Sequence, residues 1–185
     1  MSNLTKTCDN TSVGAIILDA EGRMLVFDRN TDPPGVAGPA GHIDDHGTAD
    51  DAVIAEVAEE VGLTVASLDL VVEAWRANQC RRLPGPAGVG HYWVVYRAGV
   101  TGELTPSARE TRNARWLSQH ELQDLTLRTL AYARGLLTAE EFRAQPGVEP
   151  VWTAWLSLAG LVPMLRGDLA LINQVANMPF GQEGE

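Results

Sequence analysis

Residues 48–62 constrain this chain more than any other stretch, because they carry their own start, stop and sidedness. Thr48 can accept a backbone N–H at a helix N-terminus, and Asp51 stands three residues on, where its carboxylate can return the bond. Asp50 and Asp51 also sit at the positive end of the helix dipole. Gly62 is a natural left-handed stop. Between these ends, Val53, Ile54, Val57 and Val61 form an apolar stripe, which predicts the buried face. Glu56, Glu59 and Glu60 stand at i, i+3 and i+4, so their carboxylates leave the helix within an arc of about 100°. Three like charges so close destabilise a lone helix by roughly a few tenths of a kcal/mol per pair. A hard divalent cation with oxygen ligands would offset that repulsion. A solvated acidic face is the other use of the same pattern.

The flanking segments predict a mixed α/β body. Residues 13–18 (VGAIIL) and 24–27 (MLVF) read as two strands joined by a Gly-containing turn of the length that links an antiparallel pair. Residues 30–41 hold three prolines and three glycines, which predicts a shaped loop. Residues 63–75 read as one or two strands and 91–96 (HYWVVY) as another, with a flexible or lid-like loop at 81–90 between them. From Ser118 onward the periodicity turns helical, with a second capped start at Thr138 and breaks at Pro146, Pro150 and Pro163. The expectation is one domain over residues 1–122 with a helical C-terminal extension, 123–185, packed on it.

Composition narrows the partners. The chain has 185 residues, with 14 Lys+Arg against 24 Asp+Glu and a formal net charge of −10. So acidic a surface argues against duplex nucleic acid or an anionic membrane as partner. It leaves room for a small phosphorylated substrate, because a bound divalent metal inverts the local sign. Two cysteines, Cys8 and Cys80, make no disulfide framework. The first residues lack the order of a signal peptide, and the apolar stretch 152–165 is too short to span a bilayer. A reduced, cytoplasmic protein is expected.

Residues 41–63, GHIDDHGTADDAVIAEVAEEVGL, resemble the Nudix box, Gly-x5-Glu-x7-Arg-Glu-apolar-x-Glu-Glu-x-Gly-apolar. Gly41, Glu56, Val57, Glu59, Glu60, Gly62 and Leu63 match in register, and Gly38-Pro39-Ala40-Gly41 is similar to that family's approach to the box. Ala114-Arg115-Trp116-Leu117-Ser118 with Glu121-Leu122 is similar to its usual tail. The resemblance implies an α/β/α sandwich with a mixed sheet. It also implies Mg²⁺- or Mn²⁺-dependent cleavage of a phosphoanhydride bond in a nucleoside-diphosphate-linked or related metabolite. By the same resemblance Gly41, Glu56, Glu59 and Glu60 would hold the metal. Glu56, Glu59 or Glu110, the last in the polar stretch 107–113, would take a proton from water. Two positions depart: the box's first Glu is Gly47 here and its Arg is Ala55. These departures weaken the expected catalysis and support a rival, a Nudix-fold module that binds a nucleotide-like ligand without cleaving it.

Further residues have two uses each. Arg29 and Arg76 are the preferred phosphate-gripping candidates among Arg29, Arg76, Arg81, Arg82 and Arg97, since guanidinium pairs bidentately with phosphate. Trp75, Tyr92 and Trp93 can stack on a base or fill the core. His42, Asp44, Asp45 and His46 crowd the loop before the helix, and a zinc site from Cys8, His42, His46 and Cys80 is conceivable beside the reading of a polar turn. Trp152 and Trp155, one helical turn apart, would seal the extension onto the body or meet a second copy in a homodimer.

Overall fold

The computed structural model describes residues 6–109 and 111–181. Its first helix, α1 (Ala49–Val61), is bounded as its caps dictate. Thr48 accepts the Asp51 N–H while the Asp51 side chain accepts from the Thr48 N–H, and Gly62 ends the helix at φ 71°. The buried stripe is Ala52, Val53, Val57 and Val61. Ile54 is not part of it: at 43% exposure it lies beyond the edge of the stripe.

Among the described residues seven strands form two sheets. One has the order β4 (Ala40–Gly41), β1 (Thr11–Ile16), β6 (His91–Thr101), β5 (Thr64–Arg76); the other is β3 (Val36–Ala37), β2 (Met24–Arg29), β7 (Thr111–Leu117). Residues 64–76 are thus one long strand, not two. The expected hairpin of residues 13–27 is only partly realised. Its strands touch at the Leu18–Met24 bridge and through the Leu25 N–H to Ile17 C=O bond (2.9 Å), then part into different sheets. β1 instead runs parallel to β6 (Val13 opposite Val94) and antiparallel to β4 (Val13 opposite Gly41). Both faces of these strands are covered, which is why VGAIIL is apolar without alternation. Val13, Ala15 and Ile17 face α1 with Val94, Tyr96 and Ala98, whereas Ile16, Trp93 and Val95 face the C-terminal helices.

Those helices are α2 (Gln119–Ala133), α3 (Ala139–Ala144), α4 (Pro150–Leu158) and α5 (Arg166–Asn177). Helix α4 closes the second face: Trp152 and Trp155 are 2% and 0% exposed, and Trp155 lies 5.7 Å from Trp93 between ring centres. The aromatic pair is therefore used inside the chain, not at a surface where a second copy could meet it. Residues 147–149 also join the second sheet, with the Val36 N–H bonded to Gly147 C=O and the Glu149 N–H to Val36 C=O, both at 2.9 Å. The result is an α/β/α sandwich: α1 on one side, two sheets between, and the C-terminal helices on the other. Among the described residues no helix is long and apolar enough to cross a membrane.

Candidate active site

A cleft of about 310 Å³ opens where α1, β4 and the start of α4 converge, and Glu56, Glu59 and Glu60 all line it. Strand β4 fixes the first and third of these carboxylates. The Ala40 N–H donates to Glu60 Oε2 at 2.9 Å. Glu56 packs so closely on Gly41 that a Cβ there would fall 1.7 Å from its Oε1. The glycine is thus demanded by a neighbouring carboxylate, not by a turn. Gly47, which replaces the first box glutamate, follows a short 3-10 turn (Asp44–His46) at φ 95°, where a side chain would be strained. Ala55 is half-buried on α1 and leaves no unpaired charge behind.

The arginine candidates separate. Arg29, at the end of β2, lines the cleft and pairs with Glu149 at 3.1 Å. Glu149 is almost fully buried and caps α4 by accepting the Trp152 N–H at 3.1 Å. Burial pushes its carboxyl above the usual value, against the pull of Arg29. Arg76 lies outside the cleft lining, its guanidinium 5.3 Å above the Trp155 ring. Arg81 and Arg82 line the cleft, and Arg82 forks onto Asp44 with two 2.6 Å bonds. That fork holds the Asp44 carboxyl well below the usual carboxylate range. Arg97 is exposed on β6 away from the cleft, whereas Arg109, which the sequence reading passed over, lines it. Glu110 lies outside the described residues. Of the aromatic candidates, Trp93 reaches the cleft, while Trp75 and Tyr92 pair on the outer face at 42% and 44% exposure.

A second group occupies one wall of the cleft. Cys8 Sγ lies 3.5 Å from His42 Nε2 and 3.2 Å from His91 Nε2, and Cys80 Sγ lies 3.4 Å from His42 Nε2. His42, Cys80 and His91 line the cleft, while Cys8 is buried behind them. Burial drives the His91 imidazole down to about 4 and lowers His42, and it pushes the Cys8 thiol up to about 11. His46, which sequence proximity suggested, is exposed at the end of its turn, and His91 takes that place. The only hint in the sequence was a histidine opening a strand, and its usual reading is a core residue. The loop before it is no free lid: Asn10 bonds Gly88 C=O, Gly90 C=O and the Ala87 N–H at 2.7–2.9 Å, and the Cys8 N–H bonds Leu83 C=O.

The model of the NUDIX domain matches residues 9–138. The chain belongs to the Nudix family. The Nudix fold is shared with the MutT protein from Methanosarcina mazei Go1, at TM-score 0.50 and 20% identity over 65% of this chain and 83% of that one. It is shared equally with a NUDIX hydrolase from Nitrosomonas europaea, at TM-score 0.50 and 19% identity over 62% of this chain and 76% of that one. No curated protein matches the chain by sequence. The match to the family spans the whole of α1 and its carboxylate face.

Proposed function

We propose that this Nudix protein hydrolyses a phosphoanhydride bond in a nucleoside-diphosphate-linked or related metabolite, using Mg²⁺ or Mn²⁺. The observation that carries the reading is the presentation of Glu56, Glu59 and Glu60 to one cleft together with Gly41 and Arg29. The residues fit a hard cation. The donors are carboxylates and a backbone carbonyl, and Gly41 leaves free the space that a Cβ would take from Glu56. Glu56, Glu59, Glu60 and the Gly41 carbonyl would hold the metal, which neutralises diphosphate charge and lowers the pKa of a bound water.

The remaining work falls to the chain. The Ala40 N–H holds Glu60 in place, so its carboxylate needs no reorganisation when substrate arrives. Glu56 or Glu59 accepts the proton of the attacking water, and Glu110 is the further contender. Arg29, braced by Glu149, presents its guanidinium to an anionic group of the substrate. Arg109 and Arg81 stand on the same cleft and extend that positive lining. Arg76 is better read as a packing partner of Trp155 than as a phosphate ligand. Unbridged Cys8 and Cys80 accord with a reducing cytoplasm.

The test is release of phosphate or nucleotide from a panel of nucleotides and dinucleotides, with Mg²⁺ and with Mn²⁺, comparing the parent chain with Glu60→Gln. Turnover that requires metal and disappears in the variant supports the hydrolase. Binding of nucleotides without turnover in either protein would overturn it in favour of a ligand-holding module, the outcome that Gly47 and Ala55 would then explain.

A further inference from the structure

We propose that Cys8, His42, Cys80 and His91 form a structural zinc site in the wall of the cleft, separate from the carboxylate site on α1. Their four ligand atoms, two Sγ and two Nε2, all lie within 4.8 Å of one another. A tetrahedral zinc with Zn–S of about 2.3 Å and Zn–N of about 2.0 Å spaces sulfur from nitrogen by about 3.5 Å. The sulfur–nitrogen separations here are 3.5, 3.2 and 3.4 Å. Three of the four sulfur–nitrogen edges of an S₂N₂ tetrahedron are therefore already close to their zinc-bound length, and the remaining separations are at most 4.8 Å.

The surroundings are those of metal ligands. His91 Nδ1 lies 2.9 Å from Asn78 Oδ1, an acceptor, so the ring proton sits on Nδ1 and the Nε2 lone pair faces the cluster. Asn78 is itself held by the Trp93 Nε1–H at 3.3 Å. Each sulfur accepts a backbone N–H from two residues further on: Asn10 to Cys8 at 3.3 Å and Arg82 to Cys80 at 3.4 Å. Such donors stabilise thiolate charge. Binding would release the two thiol protons, giving two thiolates and two neutral imidazoles around Zn²⁺ with no net charge. Softness selects the ion: thiolate and imidazole suit zinc, whereas Mg²⁺ takes oxygen.

Four protein ligands leave no open position, so the site is structural. It joins four separate pieces: the segment before β1, residue 42 next to Gly41, the loop after β5, and the first residue of β6. Locking them fixes the part of the cleft that His42, Cys80 and His91 line.

The test uses the full chain purified without chelator. Metal analysis should find about one zinc per chain. Cobalt substituted for zinc should give the intense visible bands and sulfur-to-metal charge transfer of a tetrahedral thiolate centre, displaced by added zinc. Cys80→Ser should lose the charge-transfer intensity, and Glu60→Gln should keep it. Asn78→Ala, which spares every ligand, should weaken zinc binding by about 10–100-fold. The parent chain binding neither zinc nor cobalt stoichiometrically overturns the proposal. So does a Cys8–Cys80 disulfide found by mass in protein purified under reducing conditions, or loss of the cobalt bands in Glu60→Gln. None of these readouts requires the chain to hydrolyse anything, so failure of the zinc site is distinguishable from failure of the hydrolase.

Discussion

Replacing Gly41 with alanine isolates the geometry of one carboxylate. Gly41 is outside the left-handed region of backbone space, so alanine fits its backbone. The added Cβ would lie 1.7 Å from Glu56 Oε1 and 2.1 Å from its Cδ, whereas real Cβ contacts stay beyond 3.0 Å. The oxygen must therefore retreat by about 1.3 Å, the difference of those two distances. The obstacle is the far end of a flexible side chain on a helix anchored elsewhere, so it can swing away without disturbing Val53, Val57 or Val61. The fold should survive, with Tm changed by no more than a few degrees. Chemistry should not: a misplacement of about 1 Å costs roughly 10²-fold in rate, or about 2.7 kcal/mol of barrier. The assay is metal-dependent hydrolysis of the best substrate from the panel, with a thermal melt beside it. Full activity in Gly41→Ala would refute the reasoning, since it would mean that the Glu56 carboxylate does no work where it stands. A collapsed melt would refute it differently, by showing that the overlap is absorbed by the backbone.

Three further outcomes are expected. Trp155→Ala removes a fully buried ring between Trp93 and Arg76, and should cost about 3–5 kcal/mol, lowering Tm by roughly 6–20 °C. A loss under about 1 kcal/mol would mean that α4 is only loosely docked. Thr48→Ala removes one half of the α1 capping box and should cost about 1 kcal/mol by denaturant melt, while Thr48→Ser should restore most of it. Glu149 has a carboxyl raised above its ordinary 4.5, so the folded chain holds that proton more tightly than the unfolded one. Its contribution to stability is full below pH 4.5 and declines as pH rises through the raised value. Glu149→Gln keeps an acceptor for the Trp152 N–H and should flatten that decline in a Tm-against-pH series; identical slopes would rule the assignment out.

Much of the α1 region is legible in the residues themselves. Thr48, Asp51 and Gly62 set the helix ends, and the i, i+3, i+4 spacing puts three glutamates on one side, because caps and helical period act within a single element. The match of Gly41, Glu56, Glu59 and Glu60 to the box also precedes any coordinate. Ile54 shows the limit of such reasoning, since its arc borders the stripe and only the packing decided that it stays exposed. The choice of Arg76 as a phosphate candidate, without Arg109 among the arginines considered, has the same origin: only the folded chain says that Arg76 meets Trp155 and that Arg109 lines the cleft.

The sequence alone therefore determined the local code: where α1 begins and ends, and which carboxylates share a side. Only the tertiary structure decided what residues far apart in the chain do together. It parted the first two strands into different sheets, paired Arg29 with Glu149, and used α4 to complete the core. It also brought His91 to Cys8, 83 positions away, because β1 pairs with β6 in parallel and sets Thr11 beside Tyr92. No periodicity or capping rule encodes a parallel register. It follows from burying both faces of β1 and β6 at once, and that condition exists only when the whole chain has packed.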